Sequence, residues 1–147
     1  MAVLIIFFAG ILGTSMMTVF SHMLELVTKE KLNEAHLLNG LIDKAKPTNY
    51  EVNKNHYFGW VIHYAIGLCM ASGLYAYYFY IAQEINIWKG IILGFILGVI
   101  GIAGWSLMIG IHANPPKINW NFFFVQLMVA HIIFGMTVTW ILARFVF

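Results

Sequence analysis

The stretch Ile87-Trp-Lys-Gly-Ile-Ile-Leu-Gly-Phe-Ile-Leu-Gly-Val-Ile-Gly-Ile-Ala-Gly-Trp-Ser-Leu-Met-Ile-Gly-Ile111 is long and oily. About 20 mostly apolar residues, as a helix, cross the hydrocarbon core of a bilayer, so this run reads as a membrane span. Three further runs have the same character, at about Ala2 to Leu24, Phe58 to Ala82 and Phe122 to Phe145. The 147 residues are 61% hydrophobic and 10% charged, far too apolar for an ordinary soluble domain. The expected fold is an all-α membrane protein, a single four-helix transmembrane domain over 1–147.

The connections set an expected orientation. Between the first two spans, residues 25–57 hold Lys29, Lys31, Lys44, Lys46 and Lys54, and the third connection holds Lys117. Lys89 and Arg144 are the basic residues on the other side. Six against two predicts that loop 1 (25–57) and loop 3 are cytoplasmic and that both termini lie outside. The N-terminal run lacks a basic n-region and a clean cleavage site, so it reads as a retained first helix. The net charge of +2 is small and the basic residues form no patch, which argues against nucleic acid as a partner.

Within loop 1, Leu32, Ala35, Leu38, Ile42 and Ala45 recur at helical spacing and Pro47 follows. This predicts an amphipathic helix ended by Pro47, either a surface helix with a solvated charged face or a docking surface for a partner. Trp88 and Trp120 at helix entrances, and Tyr75, Tyr77, Tyr78 and Tyr80 at the outer end of the second span, read as interfacial belt residues. Cys69, the one cysteine, excludes an intrachain disulfide framework and reads as core packing. Gly90, Gly94 and Gly98 form a stripe of small residues that lets another helix approach closely, in this chain or in a second copy.

His63 with Gly67 and His131 with Gly135 repeat the pattern His-x-x-x-Gly 68 positions apart. Gly13-Thr-Ser-Met-Met17 and Gly104-Trp-Ser-Leu-Met108 rhyme in the spans before them, each followed by a histidine, His22 or His112. The chain can therefore be read as two parallel helix pairs around a pseudo-twofold axis, with His63 and His131 facing each other across it. His112 departs from the pattern: it lies six residues beyond Ser106, where His22 lies seven beyond Ser15, and matches only if the helix breaks before Asn114-Pro-Pro.

Ser15, Thr18, His22 and Glu25 step by three, four and three, which predicts one polar face on the first helix. Ionisable groups inside spans are costly in lipid and face protein or water, so His63, His131, His22 and Glu25, with Ser15 and Thr18 beside them, are candidates for a polar site. Several readings stay open. The histidines can fix helix packing through neutral hydrogen bonds. They can form a proton, ion or small-solute site, since imidazole changes charge near neutral pH. They can also hold a metal through His63, His131 and His22, or a b-type haem between two axial rings. No catalytic set is visible, because neither Ser15 nor Ser106 has a convincing base and orienting acid.

The segment Gly59-Trp-Val-Ile-His-Tyr-Ala-Ile-Gly67, with Ala130-His-Ile-Ile-Phe-Gly135 and Gly13-Thr-Ser-Met-Met17, resembles a group of small four-helix bacterial inner-membrane proteins of unknown function, broadly YagU-like. The resemblance implies a bacterial inner-membrane protein with motif residues Trp60, His63, Gly67, His131 and Gly135, and it implies no established reaction. The functional expectation is an intramembrane histidine-lined site for protons, ions or small solutes. The alternatives are an accessory subunit docking on a larger membrane complex, or a homodimer, and a bis-histidine haem subunit for electron transfer.

Overall fold

The computed structural model describes residues 1–44, 52–82 and 84–146. Five helices follow in order: α1 (Ala2–Thr28), α2 (Glu34–Lys44), α3 (Tyr57–Tyr80), α4 (Ile87–Ile111) and α5 (Trp120–Phe145). All but α2 are long and apolar enough to cross a membrane, and they match the four expected spans within a few residues. Their outer faces carry large apolar side chains such as Leu107, Phe95 and Trp140, more than half exposed, as a lipid-facing surface requires. The chain has the architecture of a multi-pass membrane protein.

Local chemistry sets the helix ends. Asn86 and Asn119 each turn a side-chain oxygen to a free backbone N–H of the first turn, on Lys89 at 3.0 Å for α4 and on Phe122 at 3.2 Å for α5. Helix α1 ends where Lys29 adopts the left-handed conformation, φ 62°, and donates its N–H to the Glu25 carbonyl. The chain then doubles back into α2, whose start is held by two acceptors. Asn33 Oδ1 accepts from the N–H of His36, and Glu25 Oε2 reaches from α1 to accept from the N–H groups of Leu32 and Asn33.

Helix α5 is the hub of the bundle. Half of its most apolar stretch is buried, against 17% for α4, and both α1 and α4 pack along it. The glycine stripe makes the α4 contact close. A Cβ on Gly94 would stand 2.6 Å from the His131 carbonyl oxygen, and one on Gly135 would strike the Gly90 carbonyl oxygen. The stripe thus serves packing within one chain. On the other side of the bundle α1 packs on α3, where Gly67 leaves room for Thr14.

Helix α2 is not the surface helix expected of loop 1. Leu32, Ala35 and Leu38 are buried, and so are Leu37, Leu41, Glu34 and Asn39, leaving no broad solvated face. Its leucines pack with Trp105, Phe123 and Leu127 to close the end of the bundle that carries loops 1 and 3. Asn39 fastens α2 to α3: its amide donates to the carbonyls of Lys54 and His56, and its oxygen accepts from Gly59 N–H at 2.8 Å. Ile42 is half-buried, while Ala45 and Pro47, the expected end of this helix, lie outside the described residues.

Other expectations change as well. Cys69 is exposed rather than packed in the core, and it lines a hollow between α3 and α4. Tyr78 is 3% exposed and hydrogen-bonds Thr139 Oγ1 at 2.9 Å, so it is an interhelical partner and not a belt residue. Trp88 and Tyr80 are exposed at helix ends as expected.

The contacts do not follow the expected twofold. An axis relating α1–α3 to α4–α5 maps the α1/α5 contact onto α4/α3, yet α3 and α4 barely touch although they are consecutive in the chain. Nor do the rhyming residues match in space. Gly67 packs on Thr14, whereas Gly135 packs on Gly90 and Gly94 and not on Trp105, which occupies the position equivalent to Thr14. Helix α4 does end at Ile111, before the Asn114-Pro-Pro segment, and His112 becomes its C-cap.

Candidate intramembrane polar site

The gap between α3 and α4 opens into a cavity of about 230 Å³ near the loop-1 end of the bundle. His63 of α3, His131 of α5 and Glu34 of α2 all line it, with Met17 of α1 and Gly101 and Trp105 of α4. The two histidines of the His-x-x-x-Gly segments therefore share one site, and an acidic residue from loop 1 joins them. Each arrives for a local reason: His63 and His131 lie on the buried stripes of their helices, and Glu34 is carried in by the leucines of α2.

Hydrogen bonds fix how the rings present themselves. The Thr18 hydroxyl has one proton, which it donates to the Thr14 carbonyl at 2.7 Å, so at 3.0 Å its oxygen accepts from His63 Nε2–H. The neutral His63 ring then offers Nδ1 as a free lone pair. His131 Nδ1 lies 2.8 Å from the Leu127 carbonyl, which only accepts, so this ring is protonated at Nδ1 and offers Nε2. That nitrogen stands 3.1 Å from where a Cβ would be on Gly101, and the missing side chain gives the ring its space.

Glu34 is 2% exposed. Its Oε1 accepts from Gln126 Nε2 at 3.2 Å and shares the single proton of Ser21 Oγ, at 2.8 Å, with the Met17 carbonyl, at 3.0 Å; Gln126 also donates to Ser21. Its Oε2, together with Gln126 Oε1, is buried with no hydrogen-bond partner among the described residues. Burial raises the Glu34 pKa from 4.5 to about 7, opposed by its own backbone N–H, Ser21 and Gln126 and reinforced by the charge of Glu25. An unpartnered carboxyl oxygen in such a place marks either a protonated acid or a ligand contact.

The expected polar face of α1 is displaced by one residue. Thr14, Thr18 and Ser21 are its buried polar groups, each bonded to the carbonyl four residues back. Ser15 is half-buried and pairs with Tyr64 OH at 2.9 Å. His22 is exposed, about 100° around the helix from Ser21, so it does not join His63 and His131. Glu25 is not in the cavity either, since its carboxylate caps α2. His112 lies outside it and donates from Nε2 to the Leu41 carbonyl at 3.0 Å. Thr14, Ser21, Glu34 and Gln126 went unread in the sequence. Glu34 shares a helical face with Leu38 and Leu41, and Gln126 sits in an apolar span, and these two signals were available.

Among the described residues, no three His, Cys, Asp or Glu side chains converge as a metal-ligand set, so the expected trio of His63, His131 and His22 does not form one. The cavity is also smaller than the roughly 300–1,000 Å³ typical of cofactor pockets, a poor fit for a b-type haem. What the site does present is one titratable carboxyl and two imidazole lone pairs in a mainly apolar chamber. Comparisons with protein-family models, curated proteins and solved structures give no match.

Proposed function

We propose that this membrane protein binds protons and a small polar group in the Glu34–His63–His131 chamber, as a non-enzymatic intramembrane site. One observation carries the reading: three titratable side chains from three different helices line the same cavity. Structural histidines and carboxylates alone are cheapest when every polar atom is paired, whereas Glu34 Oε2 is buried without a hydrogen-bond partner. A carboxyl poised near pH 7 beside two imidazoles gives the chamber a proton to exchange in the physiological range.

The same proposal places loops 1 and 3 in the cytoplasm, by the excess of lysines there, and the protein in a bacterial inner membrane, by the YagU-like resemblance at Trp60, His63, Gly67, His131 and Gly135. An accessory role is less well supported, because α5 already occupies the glycine stripe and the bundle already buries α2.

Proton uptake into proteoliposomes with an entrapped pH dye tests the reading. The parent protein is expected to accelerate uptake over empty liposomes. Glu34→Gln and the double variant His63→Ala with His131→Ala are expected to lose that acceleration. Variants that behave like the parent would overturn it.

A further inference from the structure

The chamber does not end at the histidines. Met70 lines both the chamber and a second hollow between α3 and α4, of about 370 Å³, bounded by Gly73, Leu74 and Tyr77 on one side and Leu93 and Leu97 on the other. The two lie end to end, with Met70 between them, along the seam where these helices fail to pack. From His63 to Tyr77 the path follows 14 residues of α3, about 21 Å at the helical rise. It is polar at one end and hydrocarbon along the rest. It has room at Gly73 and Gly104, which line it, since a Cβ on either would meet nothing within 4 Å.

We infer that chamber and groove together bind one single-chain amphiphile drawn from the bilayer, its hydroxyl head among Glu34, His63 and His131 and its hydrocarbon tail along α3 and α4. The inference rests on the chamber being a ligand site, as proposed above. The head chemistry follows from the lone pairs. His63 Nδ1 and His131 Nε2 can only accept from a ligand, so the head must donate. Glu34 in its acid form has a proton to give, so the head must also accept. A hydroxyl does both with one atom, giving its single proton to one imidazole and accepting from Glu34, and carries no charge into the apolar chamber. The route of entry is lateral, because Ile66 and Ile100, at the mouth of the chamber, are about half exposed on the lipid-facing side.

Photolabelling of the reconstituted full chain tests this with hexadecanol carrying a mid-chain diazirine. Label is expected on the groove residues of α3 and α4. Unlabelled hexadecanol should compete about tenfold better than hexadecyl methyl ether, which has no proton to donate and leaves a buried acceptor unpaired. Gly73→Phe fills the groove without a backbone clash and should abolish groove labelling. Label spread evenly over the lipid faces of all four spans would overturn the inference, as would equal competition by alcohol and ether. Groove protection that rises with protein concentration, accompanied by Cys69–Cys69 cross-linking, would mean that a second copy covers the seam and would overturn it too. Proton uptake by the parent protein, measured beside its labelling, separates the two claims. If the parent shows uptake but no groove labelling, the amphiphile inference alone falls; if it shows neither, both fall.

Discussion

Thr18 Oγ1 lies 3.0 Å from His63 Nε2 while giving its only proton to the Thr14 carbonyl. This relation, between adjacent helices α1 and α3, decides which nitrogen of His63 is turned toward the chamber. Thr18→Val removes the acceptor and leaves Nε2–H buried and unpaired, a loss of about 1–3 kcal/mol. Nitrogen NMR of His63 is the sharper readout. The parent should show the Nε2–H tautomer, Thr18→Ser should keep it, and Thr18→Val should shift the population toward Nδ1–H.

Glu34 makes stability depend on pH in a direction opposite to that of a salt-bridged carboxylate. Its folded pKa, about 7, exceeds its unfolded value of 4.5. The folded state therefore holds a proton that the unfolded chain releases. Stability from this group is complete below pH 4.5 and declines as pH rises through 7, by up to about 3 kcal/mol in all. Denaturation midpoints of the parent should fall between pH 5 and 8, and Glu34→Gln should flatten that slope.

Gly59 is needed because α2 crosses α3 at backbone distance. A Cβ there would collide with the Ala35 carbonyl oxygen and stand 2.8 Å from Asn39 Oδ1. Gly59→Ala is expected to cost about 2–4 kcal/mol, as overpacking joined to a broken hydrogen bond. Hydrogen exchange should show the loss first in the amides of α2. Asn39→Ala should loosen the same helix, since it releases three backbone partners at once.

The glycines of α4 should divide by position. Gly94→Leu pushes a side chain into the backbone of α5 and should lower the melting temperature sharply, because a membrane helix pair held by close packing has no hydrophobic drive to compensate. Gly104→Leu enters open space and should leave the melting temperature nearly unchanged. Melting curves of both variants in one detergent make the comparison.

How much of this is legible in the sequence follows from what each signal depends on. The four spans depend on run length and hydropathy, which are properties of the chain itself, and the helix Ile87–Ile111 coincides with the expected span at both ends. His63 and His131 were legible because a histidine in an oily helix stands out. Glu34 did not stand out, because in a lysine-rich loop a glutamate looks solvated; only the leucines around it carry it into the bundle. The one-residue displacement on α1, from Ser15 and His22 to Thr14 and Ser21, has a similar cause. Both sets satisfy helical spacing, and the choice is made by neighbours, Gly67 against Thr14 and Gln126 against Ser21. The apparent repeat misled because Gly, Ser and Met recur easily in apolar helices, whereas the α3/α4 gap is a property of packing.

The chamber depends on Glu34 holding a proton near neutral pH in the company of His63 and His131. Infrared difference spectra of the reconstituted protein follow the carboxylic acid carbonyl band directly. A band should be present at pH 6, should titrate away with a midpoint near 7, and should be missing in Glu34→Gln. If Glu34 instead ionises near 4.5, with no acid band remaining at pH 6, the buried proton site described here does not exist.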